Sequence, residues 1–442
     1  MGVMVVAAIV LTGGVFATDQ DLSERLAELE AKSHRDDARI AELEARFSTM
    51  EQTDQEGWLT QQRAEEIRAL VEDVLADADS RTNLLAGSSG YDGGVVIGNK
   101  NYRLKTNFYT QQRFVLNSQD TGSNGTRRGF ENARTRFILS GNVASPEWFY
   151  KVEVELTDRN TGLPNGESRT GLLDAYAGYE FDGGWRVGVG TFKVPLLREE
   201  LVDSRRQLAA ERSIVNYAFT GGRTDGVFVE YQGKELHFIG SYNNGINDAF
   251  YGGSVDTGGT SALSATIADF AVTTRIEWLF DGDWDQFEGF TSPRGEDFAL
   301  MIGGAAHLQS GSGIIDLLVL TLDVSAQFDG ANIFGSIVAS RAGSLSPMGF
   351  VLQGGYYVTE DWEVFGRYER GDTDSLEPSN IQIVTVGATR YFSGYNVKWT
   401  TDVGYGIDPV PFGVPITNWR GDSGGNGNNG QIVIRSQLQL AF

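Results

Sequence analysis

Five basic side chains share one face of a period-two pattern that runs along two neighbouring stretches of the sequence. They are Arg103, Lys105, Arg113, Arg134 and Arg136. A row of arginines and lysines attracts small anions and replaces part of their hydration shell, and the paired N–H groups of arginine suit phosphate. The same cations would also form cross-strand ion pairs with Glu153 and Glu155 on the next stretch. The pattern alone leaves both interpretations open.

The composition argues against several other kinds of chemistry. Among 442 residues, 59 are acidic and 36 basic, which gives a formal net charge of −23 and argues against nucleic-acid binding. The chain has no cysteine, so it has neither disulfides nor thiolate metal sites. Its three histidines are far apart, and the acidic stretch 281–285 lacks the glycine and glutamate of an EF-hand calcium loop. We expect no metal site, no cofactor and no enzymatic activity.

β-strands must position these cations, because polar and apolar residues alternate from residue 103 to the C-terminus. The alternation predicts sixteen strands, at residues 103–116, 130–141, 148–158, 171–181, 184–193, 223–232, 235–243, 269–280, 298–310, 315–328, 332–341, 349–358, 361–370, 381–392, 395–406 and 430–442. An even number of strands of about this length indicates an all-β transmembrane barrel of about 16 antiparallel strands around a water-filled lumen. The final strand ends on an aromatic residue, Phe442, which resembles the terminal signal of outer-membrane barrels.

The connections between the strands differ on the two sides of the predicted barrel. One side carries tight turns such as Asp182-Gly183 and Ser393-Gly394, and the other carries mostly longer loops. Short periplasmic turns and long outer loops are typical of an outer-membrane barrel. The 194–222 connection either folds inward and narrows the pore or stays outside as a charged surface. The 281–297 connection is an exception, because it is long on the side of the tight turns.

The sequence before the predicted barrel lacks the alternation typical of strands. Residues 1–17 are uncharged, with an apolar run too short to span a bilayer, and predict a cleaved signal peptide. From Leu22 to Met50, mostly apolar residues recur every three or four positions, as in the a/d heptads of a coiled coil, which implies partner helices. We therefore divide the chain into a signal peptide (1–17), an α-helical coiled-coil stalk (18–86) and a barrel (87–442).

Six short motifs follow one another between residues 134 and 245. They are Arg134-Thr135-Arg136, Leu172-Leu173-Asp174-Ala175-Tyr176, Gly190-Thr191-Phe192-Lys193-Val194-Pro195, Ala210-Glu211-Arg212-Ser213, Gly222-Arg223-Thr224-Asp225-Gly226 and Asn243-Asn244-Gly245. In this order they resemble the phosphate-selective porin family (the O/P porins), over roughly residues 100–250. Two positions depart from the family pattern: Thr191 replaces the usual Gln, and Thr224 lies inside the Gly-Arg-Asp-Gly-like motif.

The resemblance implies a homotrimeric, sixteen-stranded porin of the bacterial outer membrane, with inward-folded loops and a cationic channel that favours phosphate or related anions. It points to Arg134, Arg136, Lys193, Arg212 and Arg223 as channel-lining positions. The alternation itself opposes a strong anion preference, because eleven cations and eleven carboxylates fall on the lumen-facing positions.

We therefore expect a passive outer-membrane channel for small hydrophilic solutes, with anions such as phosphate as its cargo and the coiled coil in the periplasm. A general, non-selective porin is one alternative. A structural anchor whose stalk links the membrane to the cell wall is another. The expected partners are further copies of the chain in a homotrimer, outer-membrane lipid and small anions, but no nucleic acid.

Overall fold

The computed structural model describes a β-barrel in the second of the two units into which the chain divides, Met1–Thr82 and Asn83–Phe442. The described residues are 41, 89–91, 93–119, 125–157, 171–246, 268–311, 316–374, 379–410, 417–421 and 430–442. The predicted signal peptide (1–17) therefore lies outside the described residues. So does the predicted coiled coil (18–86), except for residue 41.

Sixteen antiparallel strands form the barrel wall. Each pairs with the next along the chain, and the last pairs with the first to close the barrel. A short hairpin, β1 (Ser89–Tyr91) and β2 (Val95–Gly98), precedes the wall and pairs with the beginning of its first strand. The wall strands are β3 (Arg103–Ser118), β4 (Thr126–Asn142), β5 (Trp148–Glu155), β6 (Gly171–Phe181), β7 (Trp185–Lys193), β8 (Arg223–Gln232), β9 (Leu236–Asn243), β10 (Phe270–Asp281), β11 (Ala299–Ser310), β12 (Leu317–Phe328), β13 (Ala331–Ala342), β14 (Met348–Tyr357), β15 (Trp362–Asp372), β16 (Asn380–Ser393), β17 (Val397–Gly406) and β18 (Gln431–Ala441).

The predicted barrel of about 16 strands is confirmed, and most strand ends agree with the prediction within two residues. The largest difference is the start of β4, which begins at Thr126 rather than at residue 130. Arg127 and Arg128 pair with Asn117 and Leu116 of β3 and extend the hairpin. Two adjacent charges hide the alternation that a strand normally shows, so the pattern missed this end.

The wall has a polar inner face and an apolar outer face over much of its circumference. On β12, Leu320 and Leu322 are exposed on the outside, whereas Thr321 and Asp323 are buried on the inside. Successive side chains of a strand point to opposite faces, so this alternation places the apolar side toward lipid and the polar side toward the lumen.

Tight turns connect the strands on one side of the barrel, here named the turn side; the opposite side is the loop side. The β12–β13 connection consists of Asp329 and Gly330, whose φ angles are 32° and 86°. A two-residue hairpin turn with positive φ at both positions matches the right-handed twist of the strands, and glycine adopts that conformation without strain. This connection is a tight turn of the kind that the sequence predicts for one side of the barrel.

The described residues include four short helical segments that lie between strands. Two α-helices, α1 (Arg198–Leu201) and α2 (Ile214–Phe219), follow β7 with a 3₁₀ turn (Ser204–Arg206) between them, and a 3₁₀ helix (Trp284–Glu288) follows β10. Asp283 and Gln286 form a reciprocal capping box at the start of the 3₁₀ helix, so the acidic stretch 281–285 serves as a helix cap. Within the described ranges, no helix is long and apolar enough to cross a membrane.

Candidate functional site in the barrel lumen

The connection between β7 and β8, residues 194–222, folds into the barrel; we name it the lumen loop. Most of its residues are buried. The side chains of Ser204 and Tyr109 of β3 form a hydrogen bond of 2.7 Å. Lys398 of β17 donates to the carbonyl oxygen of Gln207 at 2.9 Å. Because these wall residues belong to strands far from β7 and β8, the loop crosses the lumen. Of the two paths the sequence left open, the loop takes the inward one.

A carboxylate of the lumen loop bridges two of the predicted site arginines. Glu211 accepts from Arg113 at 3.0 Å and also from Arg134, and it accepts a hydrogen bond from Tyr217 at 2.8 Å. All of these side chains are almost completely buried. Burial alone would raise the pKa of the Glu211 carboxyl, but the two guanidinium groups outweigh burial and hold that pKa well below its usual range. Arg113 and Arg134 thus anchor the loop through one shared carboxylate.

A second group of ion pairs involves Arg136 and Arg223. Arg136 bonds to Glu153 at 2.9 Å and to Glu155 at 2.8 Å, which are the cross-strand pairs that the sequence allowed. Arg223, at the point where the chain returns to the wall, bonds to Asp174 at 2.7 Å. Charge-assisted bonds of this length fix the geometry of the groups that form them.

Lys193 and Arg212 lie beside this group. The Lys193 ammonium donates to the carbonyl oxygen of Glu200 at 2.7 Å, and the Arg212 guanidinium donates to the carbonyl oxygens of Glu199 at 3.0 Å and Val202 at 2.9 Å. Glu200 lies 3.5 Å from Arg212. Lys193 is partly exposed, and no carboxylate of the described chain lies within salt-bridge distance of it. Its charge is therefore less fully neutralised than those of its neighbours.

The remaining predicted site residues, Arg103 and Lys105, lie at the turn-side end of β3 and are partly exposed. They precede Arg113 by ten and eight residues, a separation of roughly 27–34 Å along a strand. The structure thus brings Arg113, Arg134, Arg136, Lys193, Arg212 and Arg223 around the lumen loop and leaves the other two near the opposite mouth.

The exceptional connection on the turn side also folds inward; we name residues 282–297 the turn-side segment. Its Phe290 amide donates to the carbonyl oxygen of Arg206 at 3.2 Å, and Glu288 pairs with Arg206 at 2.5 Å. Thr291 donates to Glu363 of β15 at 2.8 Å. The lumen loop and the turn-side segment therefore meet inside the barrel. The sequence signalled this contact only through the unusual length of the connection.

The other side of the lumen loop is apolar. Leu208, Val215 and Phe219 belong to a buried cluster that includes the wall residues Phe334 and Val338 of β13. The sequence did not predict these contacts, because a water-filled lumen leads to the expectation of polar residues on the inner face. The signal that could have revealed them is the run of strands that are apolar on both faces, such as residues 317–320 of β12.

Two wall residues that the sequence did not single out hold the backbone of the loop. Glu369 of β15 accepts from the amide of Ile214 at 2.6 Å, at the beginning of α2. Asp402 of β17 accepts from the amide of Ala210 at 3.0 Å. Carboxylates satisfy amides that would otherwise be buried without a partner. Among the described residues, no group of three or more His, Cys, Asp or Glu side chains is arranged to hold a metal ion.

Comparison with known proteins agrees with this architecture. Residues 104–268 match the family model described as phosphate-selective porin O and P. An uncharacterized protein of Aquifex aeolicus (strain VF5) is 23% identical over 350 residues, which cover 70% of this chain and 83% of that protein.

Two solved structures show the same fold. The anion-selective porin from Comamonas acidovorans is 11% identical with a TM-score of 0.52, over 77% of this chain and 99% of that chain. Salmonella typhi OmpF in complex with daunomycin is 14% identical with a TM-score of 0.52, over 78% of this chain and all of that chain. The matched family and the two solved structures are porins. The chain therefore forms a porin-type barrel, whose residues 104–268 confirm the resemblance to the phosphate-selective porin O and P family.

Proposed function

We propose that the barrel is a passive outer-membrane channel for small hydrophilic solutes that prefers anions, phosphate among them. The lumen loop and the turn-side segment narrow the lumen from opposite mouths. A solute that passes between them meets charged side chains at close range, where water screens their charge least.

The position of Lys193 carries the proposed anion preference. Lys193, Arg212 and Arg223 lie together where the chain leaves β7 and returns to β8. Lys193 is partly exposed and bonds to a backbone carbonyl rather than to a carboxylate. An ammonium group of this kind is available to a passing anion, whereas the paired arginines around it hold it in place.

A non-selective porin is the second candidate, and the ion pairs favour it. Arg136, Arg223 and Arg113 each bond to at least one carboxylate. A paired cation exerts little net field on a solute, so most of the wall discriminates weakly between anions and cations. We accordingly propose a modest anion preference rather than an exclusive one.

The proposed assembly is a homotrimer, as the family resemblance implies. The heptads between Leu22 and Met50 support association, because a coiled coil needs partner helices. We propose a periplasmic location for this stalk, as the sequence predicts. The alternative of a cell-wall anchor stays a prediction, because most of residues 18–86 lie outside the described residues.

Single-channel recording in a planar bilayer under a salt gradient tests this proposal. The reversal potential of the full chain should indicate anion preference, and Lys193→Gln should reduce the anion-to-cation permeability ratio by up to about fivefold, the equivalent of about 1 kcal/mol for one charge at short range. Lys234→Gln is the matched control, because Lys234 is an exposed lysine in the β8–β9 turn. A reversal potential that favours cations would overturn the anion preference and leave the channel intact.

A second measurement addresses phosphate. Inorganic phosphate added to a chloride solution should reduce the current through the full chain, because an anion that binds the Lys193 cluster delays the ions behind it. The reduction should be smaller in Lys193→Gln and unchanged in Lys234→Gln. Equal currents with and without phosphate in the full chain would exclude phosphate as a preferred solute.

A further inference from the structure

We propose that residues 417–421, in the connection between β17 and β18, position the lumen loop from the loop-side mouth; we name them the loop-side segment. Asn418 of this segment fixes Arg113, and Arg113 fixes Glu211 of the lumen loop. A displacement at the loop-side mouth therefore reaches the narrowed part of the lumen through two contacts. The inference rests on the proposed function, since the position of the lumen loop matters only where solutes pass it.

The loop-side segment folds inward and bonds to the wall toward both of its ends. The Arg435 guanidinium of β18 donates to the carbonyl oxygen of Thr417 at 3.0 Å. The Arg420 guanidinium donates to the side-chain oxygen of Asn117 on β3 and to the carbonyl oxygen of Gly125 at 2.6 Å. Because β18 and β3 are the strands that close the barrel, the segment spans the closure on its inner side.

Trp419 fills a slot in the inner face of β17. Its side chain is buried and belongs to the same apolar cluster as Leu208 and Val215 of the lumen loop. The indole lies over Gly404, where a Cβ atom would come within 2.7 Å of Trp419 Cζ2. This position needs glycine, because only a residue without a side chain lets the ring approach the backbone so closely. The shape of the wall thus favours the inward position of the segment.

Asn418 lies between Arg113 and Glu131 on the inner side of the wall. Its side-chain oxygen accepts from Arg113 at 2.9 Å, and its side-chain nitrogen donates to Glu131 at 2.9 Å. Its backbone has a φ angle of 65°, in the left-handed region that residues other than glycine rarely adopt. Residues held in this conformation cluster at sites where geometry serves function. Trp419 and Arg420 hold the backbone on the wall, so the Asn418 amide meets Arg113.

Arg113 links the loop-side segment to the lumen loop. Its guanidinium is buried and donates through three different nitrogens, to Gln437 at 3.1 Å, to Asn418 at 2.9 Å and to Glu211 at 3.0 Å. A guanidinium is a rigid plane, so the loss of one partner changes the directions of its other bonds. The Asn418 contact therefore sets the angle at which Arg113 meets Glu211. Two segments that share one such group are physically coupled.

Asn418→Gly tests this link, because glycine keeps the backbone conformation and removes only the side chain. We expect trypsin to cleave the folded barrel after Arg205 or Arg206 of the lumen loop about tenfold faster, since a hydrogen bond to a charged group is lost. The single-channel conductance should rise in the same variant. Asp374→Gly is the matched control, because Asp374 also has a positive φ angle, of 52°, and lies on another loop-side connection. It should leave both measurements unchanged.

Gly404→Ala reaches the same segment from the wall. The added methyl group takes up space that the Trp419 indole occupies, so it should displace the loop-side segment and raise cleavage and conductance as Asn418→Gly does. Trp419→Phe in that background supplies a smaller ring and should restore slow cleavage. Gly366→Ala is the matched control, since a Cβ atom at Gly366 would meet no atom of the described chain within 4 Å.

The outcomes separate this inference from the proposed function. Compact migration of the unheated barrel on a gel confirms folding in every variant. Slow cleavage in folded Asn418→Gly, or fast cleavage in Gly404→Ala that Trp419→Phe does not reverse, would overturn the inference. A conducting barrel with either result retains the channel proposal. Variants that expose the lumen loop to trypsin as expected, in a barrel that conducts no ions, retain the role of the loop-side segment and reject the channel.

Discussion

The two halves of the barrel wall hold the lumen loop by different forces. Toward β3–β10, the loop forms buried ion pairs: Glu211 binds Arg113 and Arg134, and Arg198 lies 3.5 Å from Glu277 of β10. Toward β11–β18, the loop packs on the large buried apolar cluster, whose wall residues all lie on these strands, and it also forms polar contacts with Glu369, Lys398 and Asp402. The loop therefore lies between a half-wall that holds it through ion pairs (β3–β10, the charged half-wall) and a half-wall that adds an apolar cluster to its polar contacts (β11–β18, the apolar half-wall).

The difference shows how a porin-type barrel fixes a loop inside a wet lumen. Apolar contact stabilises the loop but does not specify its orientation against the wall, because the stabilisation depends only on the apolar area removed from water. Buried ion pairs add little net stability, but a carboxylate that must meet two guanidinium groups fits only one position. The apolar half-wall thus supplies most of the attraction, and the charged half-wall sets the register. Variants on each side should separate the two contributions.

The largest effect should come from Glu211→Gln on the charged half-wall. The substitution leaves Arg113 and Arg134 buried with one fewer carboxylate, and breaking a buried pair in this way typically costs about 3–5 kcal/mol. We expect the lumen loop to detach, which should raise the single-channel conductance and expose Arg205 and Arg206 to trypsin. Recording conductance and cleavage on the same preparation would check both.

Glu131→Gln is the control for that variant. Glu131 also lies near Arg113, at 3.6 Å, but its side chain is 37% exposed. Its interaction is therefore screened by water and should be worth less than about 1 kcal/mol. If the two variants changed conductance equally, the Glu211 bridge would not be what anchors the loop.

Leu208→Ala tests the apolar half-wall and should have a somewhat smaller effect. Leu208 is 2% exposed within the cluster that includes Phe334, and a buried Leu→Ala change costs about 2–4 kcal/mol through lost contact and a cavity. The loss should not depend on salt, in contrast to that of charged variants. Denaturant unfolding at two salt concentrations would measure it. Leu318→Ala, on the lipid-facing side of β12, is the control and should change little.

These two half-walls were not equally predictable from the sequence. Period-two alternation found all sixteen strands, and it placed Arg113, Arg134 and Arg136 on the inner face, because a polar face opposite an apolar one gives a clear signal. The signal is lost where both faces are apolar. On β12, Leu317 and Val319 point inward and Leu318 points outward, so alternation could not show that the inner face there packs against a loop.

The path of the lumen loop could not be predicted from the sequence either. Glu211 was visible only as one charge in a mixed run, and its partners lie 77 residues away or more, at Arg134 and Arg113. Pairing over that distance depends on closure of the barrel, which no local pattern encodes. The same applies to the turn-side segment, whose contact with Arg206 joins two connections from opposite mouths. The predicted coiled coil lies almost entirely outside the described residues, so that prediction stands unchanged.

Acid should weaken the charged half-wall while leaving the apolar one in place. The pKa of Glu211 is held well below its ordinary value of 4.5, so its contribution is complete above about pH 4.5. It declines as the pH falls from there toward the lowered pKa, because the unfolded or detached state then binds more protons. We expect the Glu211 bridge to hold the loop in place between pH 8 and pH 5 and the loop to detach only in stronger acid. Detachment near pH 6 would mean that some other group controls the loop.

The smallest effect should come from Glu288→Gln, at the contact between the lumen loop and the turn-side segment. Glu288 and Arg206 lie 2.5 Å apart, but their side chains are 54% and 33% exposed. A partly exposed pair of this kind contributes about 0.2–1 kcal/mol and less at high salt. The two segments are also joined by the Phe290 amide, and packing of Phe290 against Phe334 holds the turn-side segment on the wall; the variant retains both contacts. If Glu288→Gln matched Glu211→Gln in conductance and trypsin sensitivity, ion pairing would dominate at both sites. The rule that burial decides which carboxylate fixes the loop would then fail. If its effect is small and disappears in high salt, burial rather than short distance is what distinguishes the anchoring carboxylate from the peripheral one.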